Sequence, residues 1–332
     1  MRNKQETVIV EDNVEGVVEV QENKSPSVND MPGVGATTAE KLISSGYDTL
    51  LSVAVTTPRE LVQIAGVTDV TARKMIQYAR DKLDLGFESG TESLKKREAI
   101  EKITSGSKAL DNLLGGGVET RAITEAFGQY GSGKTQLGHA LAVSCLSQYP
   151  DSTVVYIDTE STFRPERIMD MAKKLKLDPQ KALERIKVGR AFNSDHQVIL
   201  TEKVGELVKQ GLKVKLLVVD SLTAHFRAEF IGRGTLADRQ QKLNKHLHTL
   251  MKIAEMHNLA VYVTNQVMSK PDVFFGDPTQ AIGGHIVAHA TTYRMYLRRG
   301  KKGSRVAKLV DSPNLPEAEA AFYIDESGIK DI

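Results

Sequence analysis

The chain has 332 residues, which favours two domains over one. Charged residues make up 26% and hydrophobic residues 40%, proportions that exclude a fibrous or wholly disordered protein and allow a sizeable core. A net charge of +2 means that any nucleic-acid surface must be local. The lone Cys145 excludes an internal disulfide, and its apolar helical neighbours suit a buried thiol. No apolar run approaches the roughly 18 residues of a membrane span, and no signal-peptide core opens the chain. A cytoplasmic protein with no membrane partner is expected.

Residues 1–29 carry Glu6, Glu11, Asp12, Glu15, Glu19 and Glu22 and no aromatic side chain, the composition of a disordered acidic tail. Residues 30–85 read as a compact all-α unit. Pro32-Gly33-Val34-Gly35 precedes Ala39, Leu42 and Ile43 at helical spacing, and Ala65-Gly66-Val67 precedes Ala72, Met75, Ile76 and Ala79. Two glycine-centred turns between short helices resemble paired helix-hairpin-helix motifs, whose turn N–H groups meet a DNA phosphate. The second turn has Thr68 where another glycine is usual. With six basic and seven acidic residues here, a protein-interaction bundle is the competing reading. Residues 86–103 read as a charged linker with one stranded aromatic, Phe87, which can either dock in a neighbouring subunit or cap its own domain.

Residues 104–332 alternate strands and helices, the signature of an α/β fold with a mainly parallel sheet covered on both faces. Strands are expected at 122–127, 153–158, 186–190, 215–220, 260–264, 292–298, 305–310 and 320–324. Helices are expected near 134–148, 165–175, 196–210 and 236–257. The final three strands have no helices between them, so they should pair antiparallel.

The chemistry centres on Gly128-Gln129-Tyr130-Gly131-Ser132-Gly133-Lys134-Thr135, a phosphate-binding loop between a short strand and a helix. Its glycines let backbone N–H groups turn inward around an anion. Lys134 would reach the β- and γ-phosphates and the Thr135 hydroxyl would bind Mg²⁺. Leu216-Leu217-Val218-Val219-Asp220 is the apolar strand ending in an acid that usually accompanies such a loop, with Asp220 holding Mg²⁺ through its water shell. Glu160 leaves another strand at the same sheet edge and can orient or deprotonate a water, with Asp158 structural. Gln266, closing a third strand, can bond the γ-phosphate and pass on its loss.

Three segments suit DNA. Arg227, Arg233, Arg239, Lys242 and Lys245 outnumber Glu229 and Asp238, and Gly232 and Gly234 flank Arg233 as in a mobile loop tip. The stretch from Met268 to His285 is long, glycine-bounded and apolar for a loop, with Lys270 and Pro271 at its start. Residues 294–308 hold seven basic and no acidic side chains, either a solvated hairpin or a duplex-binding face. His285 and His289 lack a third ligand, so no metal beyond Mg²⁺ is expected.

Over residues 30–332 the chain resembles the archaeal RadA recombinases, relatives of eukaryotic strand-exchange recombinases and of bacterial RecA. The strings that carry the likeness are Leu113-Leu114-Gly115-Gly116-Gly117, the phosphate loop with Gln136, and Asp158 through Arg167. Gly232 through Gln240 and Asp311-Ser312-Pro313 complete them. The resemblance implies a RecA-like ATPase core that binds ATP and Mg²⁺ and forms helical filaments or rings. It would pair single-stranded with double-stranded DNA, meet recombination mediators and be nucleoid-associated.

The likeness makes Glu160 the catalytic glutamate beside Lys134 and Gln266. Arg167 would stack on adenine, and Gln266 with His285 would sense the γ-phosphate. Arg227, Arg233 and Arg239 would contact phosphates, with a second DNA loop from about Met268 to Ile282. Asp311 to Pro316 would cap the neighbouring subunit's nucleotide, and Phe87 would anchor polymerisation. The family usually has Phe-x-x-Ala there, whereas this chain has Phe87-Glu88-Ser89-Gly90, losing a methyl contact of about 1 kcal/mol. A mediator that binds ATP without exchanging strands and a small-molecule kinase are the alternatives. A kinase would need neither Phe87 nor the arginine loop.

Overall fold

The computed structural model describes residues 27–83, 89–269 and 279–332, and the chain divides into two compact units, Met1–Phe87 and Glu88–Ile332. Phe87, Lys270 and Pro271 lie outside the described residues, as does the acidic tail through residue 26.

The first unit contains helices Ala36–Ser44, Leu50–Ala54, Pro58–Ala65 and Asp69–Lys82. Three of them start alike: the hydroxyls of Thr49, Thr57 and Thr68 accept the N–H groups of Ser52, Glu60 and Thr71. Thr68 therefore works as a helix cap where the motif usually has glycine. Leu42, Val53, Leu61, Ala72 and Met75 form the core, and Val28 is buried with them. That core begins ahead of residue 30, because Val28 is drawn in by a short 3-10 turn over Val28–Asp30.

In the second unit the charged stretch read as a linker forms a helix, Gly90–Glu98. Ser89 and Glu92 close a reciprocal capping box at its start, which satisfies N–H groups that a chain of this composition would otherwise leave to water. Gly90 occupies its first position.

A nine-stranded sheet organises the rest. In chain order its strands are β1 (Ile123–Gly128), β2 (Ser152–Asp158), β3 (Ile186–Arg190), β4 (Lys213–Asp220), β5 (Ala260–Asn265), β6 (Tyr293–Arg299), β7 (Arg305–Asp311), β8 (Ala318–Asp325) and β9 (Gly328–Asp331). Their spatial order is β9-β8-β7-β6-β1-β5-β4-β2-β3. The six strands from β6 to β3 are parallel, and β6 through β9 pair antiparallel in succession. β6 is the hinge between the two modes, parallel to β1 and antiparallel to β7. The short β9 has no apolar run to announce it; Gly328, at φ +115°, supplies the turn that returns it onto β8.

Alternation through β4 explains how one apolar run serves two cores. Leu216 and Val218 join the core under helix Lys134–Gln148, while Leu217 and Val219 join the opposite core with Leu247 and Leu250 of helix Leu236–His257. Where the stretch expected as a long loop from 268 to 285 is described, it carries regular structure: Val267–Ser269 pairs antiparallel with Thr279–Ala281, and helix Gly284–Ala290 follows.

Candidate active site

β1 ends at Gly128 and the next glycine-rich turn delivers the chain into helix Lys134–Gln148. Two glycines are dictated by space. A Cβ on Gly128 would sit 2.1 Å from the Leu297 carbonyl oxygen, and one on Gly133, at φ +105°, would sit 2.5 Å from Ile324 Cδ1. The Lys134 ammonium curls back to donate to the carbonyls of Gly128 (2.9 Å) and Gln129 (3.0 Å). Tyr262 donates to the Lys134 carbonyl at 2.9 Å, fixing the first helical turn against β5. Burial pulls the Lys134 pKa down, and the carboxylates of Asp220 and Glu160 oppose that pull.

A cleft of about 740 Å³ opens over this loop, with Gln136, Glu160, Asp220 and Gln266 in its walls. Three strand ends converge there because β1, β4 and β5 are parallel neighbours. Asp220, buried at the end of β4, accepts from the hydroxyls of Tyr156 (2.9 Å), Thr162 (3.3 Å) and Thr264, so both its oxygens are aimed by the fold. Sequence reading missed these three hydroxyls. A polar side chain inside an apolar strand, as Tyr156 is in Val154-Val155-Tyr156-Ile157, was the available signal.

Asp158 accepts the N–H groups of Glu160 (3.2 Å), Thr162 (3.1 Å) and Phe163 (3.1 Å). Those three bonds hold a tight turn in which Ser161 takes φ +59°, and the turn presents Glu160 to the cleft. Burial raises the Glu160 pKa and the nearby Asp220 charge raises it further, while a hydrogen bond from Gln266 Nε2 to Glu160 Oε1 (2.6 Å) favours the carboxylate. Behind the loop the buried His139, its pKa pulled down to about 4 by burial, packs as a neutral ring against Tyr156 and Phe163.

Arg167 donates to Gln136 Oε1 (2.8 Å), to the Glu326 carbonyl (2.7 Å) and to the Asp325 carbonyl, which fixes its guanidinium plane. Arg305, unremarked in the sequence beyond its charge, also lines the cleft. His285 and Asp311 do not. Both are exposed, His285 stacked on His289 with ring centroids 5.9 Å apart and Asp311 at the end of β7.

The arginine-rich segment is divided. Arg227 is exposed on helix Ala224–Glu229, and Arg239 is half-buried in the first turns of helix Leu236–His257. Arg233 opens a 3-10 turn just after Gly232, which takes φ +89°. Lys242 is committed within the fold: its ammonium pairs with Asp195 at 2.9 Å and donates to Ser194 Oγ at 2.6 Å. The basic hairpin is likewise partly spoken for, with Arg294 bonded to Glu125 (2.7 Å), Arg298 to Glu319 (2.8 Å) and Lys308 to Glu317 (3.1 Å).

A family model described as Rad51 matches residues 96–332, and one described as a SAM-like helix-hairpin-helix tandem matches residues 26–81. The DNA repair and recombination protein RadA of Ignicoccus hospitalis is 52% identical over 325 residues, covering 95% of this chain and 99% of that protein. The chain belongs to the RadA/Rad51 recombinase family. A RadA/Rad51 recombinase is a DNA-dependent ATPase, so the chain binds nucleotide and DNA and associates with itself. Among the described residues no helix is long and apolar enough to cross a membrane.

Proposed function

We propose that this chain polymerises on single-stranded DNA as a helical filament and uses ATP with Mg²⁺ to pair and exchange strands with a homologous duplex. The observation that carries the reading is the convergence of Lys134, Glu160, Asp220 and Gln266 on one cleft over the phosphate loop. The donor set suits a hard cation: Thr135, in the first turn of the helix, lines the cleft with its hydroxyl-bearing side chain, and Asp220 stands with both oxygens fixed. Thr135 and Asp220 would hold Mg²⁺, which when bound neutralises charge on the β- and γ-phosphate oxygens.

The protein's own groups do the rest. Backbone N–H groups of Gly128 through Thr135, with Gln129, Tyr130, Gly131, Ser132 and Gly133 between, wrap the phosphates, and Lys134 leaves its carbonyl partners for the terminal ones. Glu160, its proton affinity raised by burial, orients the attacking water and accepts its proton. Gln266, already bonded to Glu160, exchanges that bond for the γ-phosphate and registers its loss. Arg167 and Gln136 form a flat, fixed plane on which adenine stacks. Arg227, Arg233, Arg239, Lys270 and Pro271 track the DNA backbone.

His285 and Asp311 stand on exposed surface outside the chain's own cleft, which supports a role across a subunit boundary, capping and reading the neighbour's nucleotide. Phe87 and Gly90 would tie one subunit to the next. The domains follow the same plan: an acidic tail, a helix-hairpin-helix unit, a polymerisation segment and the ATPase core.

The test is ATPase activity with and without single-stranded DNA, beside negative-stain imaging and strand exchange. Filaments and DNA-stimulated turnover are expected. ATPase activity indifferent to DNA, or filaments that never exchange strands, would overturn the reading in favour of a mediator.

A further inference from the structure

Asn265, the residue before Gln266, is fully buried at the end of β5 and bonds three different elements. Its amide Nδ2 donates to Glu125 Oε1 (2.7 Å) and to the Ile282 carbonyl (2.7 Å), and its Oδ1 accepts from the Thr223 hydroxyl (2.7 Å). The chemistry of the partners fixes which way the amide faces: a carboxylate and a carbonyl need donors, and the hydroxyl can supply one.

Each partner is a root of something that matters. Glu125 lies on β1, three residues before the phosphate loop begins, and its other oxygen receives Arg294 Nε at 2.7 Å. Thr223 stands at the N-cap position of helix Ala224–Glu229, which leads to the glycine-flanked Arg233, yet its hydroxyl caps no helix N–H because it is turned to Asn265. Ile282 closes the second loop, and its N–H bonds the Gln266 carbonyl at 3.0 Å. Gln266 therefore cannot shift its backbone without straining Asn265, and Asn265 cannot move without leaving a buried carboxylate oxygen, a carbonyl and a hydroxyl short of a partner.

We propose that Asn265 is a positioning residue that joins the cleft-facing Gln266 to the roots of both DNA loops, so that one change at the nucleotide moves the two loops together. The inference rests on the reading of the cleft and loops given above. Thr223 carries the arm to the first loop and the Ile282 carbonyl carries the arm to the second. Glu125, anchored by Arg294, is the fixed point against which both arms pull.

Hydrogen–deuterium exchange of the full-length protein, with and without a nonhydrolysable ATP analogue and Mg²⁺, tests it without DNA. In the natural chain the analogue should slow exchange in both 224–236 and 267–282. Asn265→Ala should abolish the response in both segments, and DNA stimulation of its ATPase should fall on the order of tenfold, a usual size for coupling between two sites. Thr223→Val should silence only 224–236, with affinity for the analogue unchanged, and Thr223→Ser should restore the response. These two variants keep the test alive should Asn265→Ala not fold. An Asn265→Ala chain that still responds in both segments, or a Thr223→Val chain that responds in both or in neither, overturns the inference. So does a natural chain whose segments ignore the analogue even while DNA stimulates its ATPase, which separates this failure from failure of the functional reading.

Discussion

The cleft over the phosphate loop and Arg227, on the helix that follows β4, satisfy their charges in opposite ways. In the cleft, Asp220 is held by three hydroxyls and Glu160 by Gln266, and behind it Asp158 is held by three backbone N–H groups, all from the chain itself. On helix Ala224–Glu229, Arg227 has no carboxylate partner among the described residues and stands exposed. A site prepared for chemistry must be set before the substrate arrives, since reorganisation at the moment of reaction costs rate. A backbone-tracking surface keeps its cations open, because neutralising phosphates and releasing their counterions drives binding. The hairpin of β6 and β7 is the instructive third case: basic in sequence, yet Arg294, Arg298 and Lys308 are each met by a glutamate.

The comparison can be broken hardest at the cleft. Glu160→Gln keeps the hydrogen-bonding shape and removes the base, so kcat of the DNA-stimulated ATPase should fall by about two to four orders of magnitude, with nucleotide binding retained by titration. Gly128→Ala tests whether the cradle is spatially exact; a Cβ 2.1 Å from the Leu297 carbonyl should cost about 1–3 kcal/mol by chemical denaturation.

Arg227→Ala tests the open surface. It should weaken single-stranded DNA binding and reduce the slope of log affinity against log salt by about 0.7–1. Gln266→Ala sharpens the account of Glu160. Its hydrogen bond favours the carboxylate, so without it the Glu160 pKa should rise further. A base works only when ionised, hence activity is lost as pH falls through its pKa, and the acidic limb of the profile should move to higher pH. The smallest effect belongs to Arg298→Ala, an exposed pair with Glu319 on the hairpin. Stability should change by about 0–1 kcal/mol, and single-stranded DNA affinity less than with Arg227→Ala.

By itself the sequence determined the parallel α/β core, the phosphate loop and the ends of the strands that carry Glu160, Asp220 and Gln266. Apolar runs ending in polar residues, and glycines where no side chain fits, are local patterns with local causes. It also announced the antiparallel finish through the missing crossover helices. Tertiary structure alone decided which charges are free. Residues 294–308 show seven cations and no acid along the chain, but Glu125 and Glu319 come from other strands, Glu317 from the segment just before β8, and Lys242 meets Asp195 from another helix. The same holds for Tyr156, Thr162 and Thr264 around Asp220 and for Asn265 between its three partners. A hydrogen bond between strands depends on register and neighbour order, which are settled when the sheet assembles and leave no mark in the spacing of residues along the chain.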